Sequence, residues 1–208
     1  MNTKDETVYF ARVGATEGGD SAVKFSKDAQ WLAGQEEVNL NGARMLADMA
    51  GLSIGWRKWI DGKIVDADIG YIAGGFEPKA RSELDDLEQE TWPVDSRGER
   101  NDPWQYAYFL KLVDENGQGY TWAAGSHGAR RAIGNLCNAY ARMRKNPIVT
   151  LDAGFYKHHT FGKINTPKLT IVGWADDAPT FRALPAPPTA PDYDPDAIGH
   201  RLDDAIPF

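Results

Sequence analysis

Several segments between residues 53 and 174 carry strand patterns, in places with apolar and polar side chains alternating with a period of two, the signature of half-buried strands. Val65, Ala67 and Ile69 interleave with Asp66 and Asp68 in this way. The alternation predicts strands over 53–60 and 63–73, joined by Asp61-Gly62, a dipeptide suited to a tight hairpin turn. Further strands are expected over 104–113, just after Pro103, and over 119–124, with Asp114-Glu115-Asn116-Gly117 turning between them. The period then lengthens to that of a helix. Ile133, Leu136, Cys137 and Tyr140 fall on one helical face, and Arg131, Asn135, Asn138 and Arg142 on the other. Ser126 suits the N-cap, Arg142, Arg144 and Lys145 suit the C-terminal end, and Asn146-Pro147 is the expected stop. Strands at 148–155 and 168–174 follow, joined by a polar loop, and a shorter helix is expected over 41–50. Residues 1–30 are polar, with one strand candidate at 8–13.

Meander, helix and hairpin in this order predict a mainly β (α+β) fold, an OB-fold-like five-stranded Greek-key barrel with one main helix. The last 24 residues, from Pro185, break with everything before them: they hold six of the twelve prolines, five Asp and one Arg. Such a segment cannot bury enough apolar surface to offset the entropy of ordering. The expected organisation is a folded domain over 1–183, with 1–30 as an N-terminal extension, and a disordered tail over 184–208. No apolar run approaches the ~20 residues of a membrane span. The start lacks the basic-then-apolar pattern of a signal peptide. Cys137 is the single cysteine, which leaves no disulfide framework and no Cys-based zinc site. The cytoplasm is the expected compartment.

The net charge of −7 conceals an asymmetry. Residues 81–102 carry eight acids against three arginines, whereas 123–174 carry eight Lys or Arg against Asp152 alone. Local field rather than net charge decides whether a phosphate backbone is attracted. Sequence-tolerant recognition of a single strand needs cations for the backbone and aromatic faces for the bases. Trp56-Arg57-Lys58-Trp59 interleaves the two on a strand, so Trp56 and Lys58 share one face and Arg57 and Trp59 the other. Arg57 is the harder residue to bury, which makes Arg57 and Trp59 the expected outward pair. Trp104, Tyr106 and Tyr108 share a face of the next strand, and Tyr120 and Trp122 a face of its partner. Leu169 and Ile171 point inward on the last strand, leaving Lys168 and Trp174 outward, while Tyr156 and Lys157 open the preceding loop. Arg130 and Arg131 lie in the first helical turns, beyond Gly125-Ser126-His127-Gly128. The candidate DNA contacts are therefore Arg57, Trp59, Trp104, Tyr106, Trp122, Arg130, Arg131, Tyr156, Lys157, Lys168 and Trp174. Cys137, on the apolar helical face, reads as core.

The chain ends Asp203-Asp204-Ala205-Ile206-Pro207-Phe208 behind a proline-rich linker. This resembles the acidic tip of bacterial and bacteriophage single-stranded DNA-binding proteins, in which several Asp precede a terminal Ile-Pro-Phe. Ala205 departs from the pattern, where an Asp is usual, and over the domain the chain looks like a divergent phage version. The resemblance implies that the domain coats and protects single-stranded DNA in phage or prophage replication, recombination or repair, in a bacterial host cell. It also implies that the tip recruits partner enzymes. The ring of Phe208 would fill an apolar pocket with its carboxylate on a basic side chain, Pro207 and Ile206 would limit and pack the docked conformation, and Asp203 and Asp204 would steer it.

Two other readings stay open. A metal-dependent nuclease would need convergent carboxylates, for which Asp61, Asp66 and Asp68 are the material, though turn and strand alternation account for all three. An adaptor would dock its tail while the domain binds no DNA. No nucleophile–base pair, cofactor motif or metal-ligand set is evident, since neighbouring His158 and His159 point apart on an extended chain. Whether the protein self-associates is not legible in the sequence.

Overall fold

The computed structural model describes residues 20–94, 98–160 and 162–175. The strand candidate at 8–13, the domain boundary at 183, the tail over 184–208 and its terminal hexapeptide lie outside these residues.

The described chain runs β1 (Ser21–Phe25), β2 (Trp31–Ala33), β3 (Val38–Asn39), β4 (Arg44–Ile60), β5 (Lys63–Tyr71), β6 (Trp104–Asp114), β7 (Gly119–Ala124), α1 (His127–Met143), β8 (Asn146–His158) and β9 (Gly162–Ala175). All nine strands join one curled, open sheet in the order β3-β2-β1-β7-β6-β4-β8-β9, with β5 paired to β4. Five strands were expected; the sheet is wider in part because residues 21–39, given no place by the sequence reading, add β1, β2 and β3 to one side. β1 runs parallel to β7, and the other pairs are antiparallel. The mainly β class, with one α-helix among the described residues, is as expected.

Two expected elements are corrected. Residues 41–50 do not form a helix, because 44–50 open the long strand β4. Met45, Ala47 and Met49 are buried with a period of two, and pairing with β6 and β8 overrides the helical preference of an Ala- and Met-rich stretch. The polar loop expected between 155 and 168 is instead a continuation of the last hairpin, paired as far as His158 opposite Gly162. Tyr156 and Lys157 thus lie on β8. Helix α1 begins as expected, with the Ser126 hydroxyl accepting the Ala129 amide at 3.2 Å. It ends earlier than expected, at Arg144 in the left-handed region, because Asn146-Pro147 already belongs to β8.

The core gathers between α1 and the hollow of the sheet. Ala129, Ala132, Ile133 and Leu136 of α1 meet Met45, Ala47, Leu110, Leu112, Trp122, Val149 and Leu151. Cys137 packs at its margin, where burial pushes the thiol pKa up. At the centre the rings of Trp31 and Trp122 meet edge to face with centroids 4.8 Å apart. The Trp31 indole N–H donates to the Asp152 carbonyl at 2.7 Å, tying β2 to β8.

β4 changes the face it buries halfway along. Before the break Met45 and Ala47 face the core, whereas after it Ile54, Trp56 and Lys58 lie opposite Tyr108, Tyr106 and Trp104, on the side that Leu110 and Leu112 share. Four residues, 49–52, face a single β6 position between the pairs Asp48–Lys111 and Ser53–Phe109. This irregularity is braced by Asp48, which accepts the Gly51 amide at 2.9 Å, and by Asn146, which accepts the Met49 amide at 3.1 Å. Past it, Gly55 takes φ 151, and a Cβ there would lie 1.9 Å from the Asp68 carbonyl oxygen.

Trp122 is 2% exposed and central, so Trp122→Ala is expected to destabilise the fold by about 3–5 kcal/mol, the cost of emptying a large core site. Urea unfolding checks this. A loss under about 0.5 kcal/mol would mean that Trp122 is not a core residue.

Candidate functional site

Beyond the break in β4 the concave side of the sheet is no longer sealed by α1. Trp56 and Tyr106 face each other across the β4–β6 ladder with centroids 5.0 Å apart, and Tyr106 meets Tyr108 at 6.2 Å, both edge to face. All three rings are half-buried. Burial raises the Tyr106 pKa, the Tyr108 hydroxyl adds to this, and the Arg130 guanidinium acts in the opposite sense. The approach to α1 passes close to the row, since a Cβ at Gly125 would lie 3.4 Å from the Tyr106 carbonyl oxygen. Arg130 and Arg131 are exposed on the first turns of α1 and form no ion pair with a described residue. The helix start rests on the last hairpin, since any side chain at Gly128 would meet Thr166 at 2.9 Å. A row of rings is therefore flanked by the positive end of a helix and its first arginines.

The β8–β9 hairpin extends past the core as an arm. Phe155 is 68% and Tyr156 44% exposed, and the Lys163 ammonium lies 4.8 Å from the Phe155 ring centroid. Lys157 and Lys168 are exposed on the same arm, with Lys168 opposite Asp152. The arm is steadied by Asn165, whose side-chain amide donates to the Lys27 carbonyl at 2.8 Å in the β1–β2 turn. Rings beside unpaired cations can hold a planar base and its phosphate together.

The other end of the concave side is covered by residues 79–92. Lys58 is held between Asp85 at 2.7 Å and Asp86 at 2.6 Å, with its ammonium 5.8 Å from the Trp104 ring centroid. The Trp104 indole donates to Asp85 at 2.6 Å and the Trp56 indole to the Lys79 carbonyl at 2.9 Å. Burial alone would lower the Lys58 pKa, but hydrogen bonds and charge from Asp85 and Asp86 outweigh it and raise it. The hydrogen bond from Lys58 is the main cause that holds the Asp85 carboxyl below its usual range, aided by Trp104 and Arg81.

Against these positions the expected contacts divide. Tyr106, Arg130, Arg131, Tyr156, Lys157 and Lys168 line the open surfaces just described. Trp104 and Trp122 are corrected, since they are only 5% and 2% exposed and offer no free face. Trp174 is half-buried opposite Pro147. Arg57 and Trp59 do sit on the side away from the core, but Arg57 does not extend into solvent as expected. It lies 4.1 Å from the Phe109 ring centroid, and burial brings its pKa down to about 10. Trp59 is half-buried, its backbone amide bonded to the Pro103 carbonyl. Sequence reasoning assigned no role to Trp56, Phe155 and Lys163. Trp56 was set aside with the inward face, Phe155 closed an expected strand without a role for its ring, and Lys163 fell in the expected polar loop, which the structure instead pairs as strand from 153–158 to 162–167.

Among the described residues no three His, Cys, Asp or Glu side chains are placed to hold a metal ion. Asp68 accepts the Lys79 amide and Asp66 the Ala67 amide, so both have structural partners. No helix among the described residues is long and apolar enough to cross a membrane.

The Asp85–Lys58 pair carries a pH signature. A depressed Asp85 pKa contributes stability above the usual carboxylate range that is lost as pH falls through and below it. A raised Lys58 pKa contributes stability that is lost only as pH rises through and above the usual lysine range. The contact should thus contribute fully between the usual carboxylate range and the usual lysine range. Urea midpoints measured from pH 7 down to pH 2 are expected to fall less in Asp85→Asn than in the unmodified protein. Equal acid losses would show that the pair contributes nothing.

No protein-family model, curated protein or solved structure matches the chain.

Proposed function

We propose that the protein is a non-enzymatic single-stranded DNA-binding protein that coats unpaired strands in phage or prophage DNA replication, recombination or repair. The observation that supports this most is the half-open row Trp56–Tyr106–Tyr108 beside Arg130, continued by an arm bearing Phe155, Tyr156, Lys157, Lys163 and Lys168. Rings take the faces of successive bases and the cations take the backbone, without reading sequence. The curled sheet, taken as an open and enlarged relative of the OB-type barrel, agrees with this use of a concave face. The terminal Asp203-Asp204-Ala205-Ile206-Pro207-Phe208 adds the second half of the proposal, through its resemblance to the partner-docking tip. The tail then works as a tether for processing enzymes in the cytoplasm of a bacterial host.

Oligo-dT is expected to bind with quenching of tryptophan emission and without cleavage in Mg²⁺. Affinity is expected to fall with salt at a log–log slope of about −0.7 per phosphate neutralised. Tyr106→Ala and Phe155→Ala are each expected to weaken binding by ~1–3 kcal/mol while the fold is retained. Strand cleavage, a flat salt dependence, or variants that bind like the parent would contradict the proposal.

Deleting residues 203–208 is expected to leave oligo-dT affinity unchanged or slightly raised and to abolish retention of replication and repair enzymes from a host extract. A large loss of DNA affinity would overturn the docking role.

A further inference from the structure

Residues 79–92 lie over the concave face of β4 and β6 without joining the sheet. They form short 3-10 turns at Arg81–Glu83 and Gln89–Thr91, and Leu84 is their one buried apolar side chain. What holds this strap down is polar. Asp85 and Asp86 take the Lys58 ammonium, Asp85 also takes the Trp104 indole N–H, the Lys79 carbonyl takes the Trp56 indole N–H, and Asp68 takes the Lys79 amide. Asp85 and Asp86 are 59% and 38% exposed, and ion pairs so open to water are individually weak.

The strap is also braced by Arg81 and Trp92, partly from within and partly through Asp102 at the start of β6. Arg81 makes a bidentate pair with Asp102 at 2.7 and 2.9 Å and donates to the carbonyls of Asp85 and Asp86 at 2.8 and 2.7 Å. The Trp92 indole donates to the same Asp86 carbonyl. The bonds from Arg81 and Trp92 to the Asp85 and Asp86 carbonyls fix the shape of the strap. Asp102, which also accepts the Trp104 amide at 2.9 Å, ties Arg81 to the start of β6 as a hinge from which the Asp85–Asp86 stretch can lift off Lys58 and the two indoles.

The groups it covers, an ammonium against one indole face and two indole N–H donors, are of the kind a nucleotide would use, and the Asp85 and Asp86 carboxylates supply the anionic oxygens that meet them. We infer that residues 79–92 are an internal substitute for a single strand, seated on a covered continuation of the aromatic row that runs from Trp56 to Lys58 and Trp104. A strand anchored on Tyr106 and Tyr108 displaces the strap and extends onto that continuation. The inference rests on the single-strand reading proposed above, and concerns how much of the site is open before DNA arrives.

The test uses the full chain with Asp85→Asn and Asp86→Asn together, which keeps the hydrogen-bond acceptors and removes the charges. Oligo-dT affinity at low salt is expected to rise roughly tenfold or more as the like charge is removed. The salt slope is expected to steepen by about 0.7, the increment for one further phosphate. In the unmodified protein, cutting by a Glu-specific protease at Glu88 and Glu90 is expected to speed up several-fold when oligo-dT is added. That measurement decides the matter if the double variant does not fold. Unchanged affinity and slope in a folded variant, or strap cleavage slowed or unaltered by oligo-dT, overturns the inference. If the unmodified protein binds and the variant binds no better, the strap idea alone fails. If neither binds, the single-strand reading fails with it. Binding by the variant alone supports a fully covering strap.

Discussion

Asp48 and Asn146, the buried polar side chains among the described residues, brace the break in β4 by accepting the amides of Gly51 and Met49. Each amide left without its partner would cost about 1–3 kcal/mol, so the kink is a strongly specified feature. It does two things at once. It turns the strand so that one half pairs with β8 and the other with β5, both halves keeping β6. It also changes which residues face the hollow, from odd positions before the break to even positions after it. The curl of the sheet and the direction of Trp56, Arg57, Lys58 and Trp59 follow from that change.

The hollow consequently has two different floors. Under α1 it is sealed with Leu110, Leu112, Trp122, Val149 and Leu151, none more than 2% exposed, and it works purely as core. Past the helix start the same face continues as Tyr108, Tyr106 and Trp56, rings that stay half in water beside Arg130. The transition is what gives the protein a surface with chemistry to offer. Sealing one half supplies rigidity, and the aromatic row inherits it because both halves share the strands β4 and β6. The β8–β9 arm is built in the same manner, anchored by Val149 and Leu151 in the core and free at Phe155 and Tyr156.

Much of this was legible in the sequence, and the failures have physical causes. The hairpin at Asp61-Gly62, the β6–β7 pair and the Ser126-capped helix were readable because turn and cap chemistry is local. The segment 41–50 was not, since its Ala and Met residues favour a helix in isolation and only pairing with β6 and β8 makes it a strand. The side-chain directions of 56–59 were read correctly as two alternating faces. What alternation cannot report is the cover on each face. Residues 79–92 lie over Lys58 and Trp104, and Arg57 folds down onto Phe109, both through contacts made at long sequence separation. Trp122 was misjudged for the same reason, because its partner Trp31 belongs to a strand of three residues that composition alone does not reveal.

The central claim is that the open aromatic row and the arm together carry a single strand. Ultraviolet cross-linking of oligo-dT to the full chain, with the linked peptides identified by mass, tests it most directly. The account predicts adducts at Tyr106 or Tyr108 and at Phe155 or Tyr156. Adducts confined to the opposite side of the sheet, around Arg57 and Trp59, or an absence of adducts under conditions that saturate binding, would contradict it.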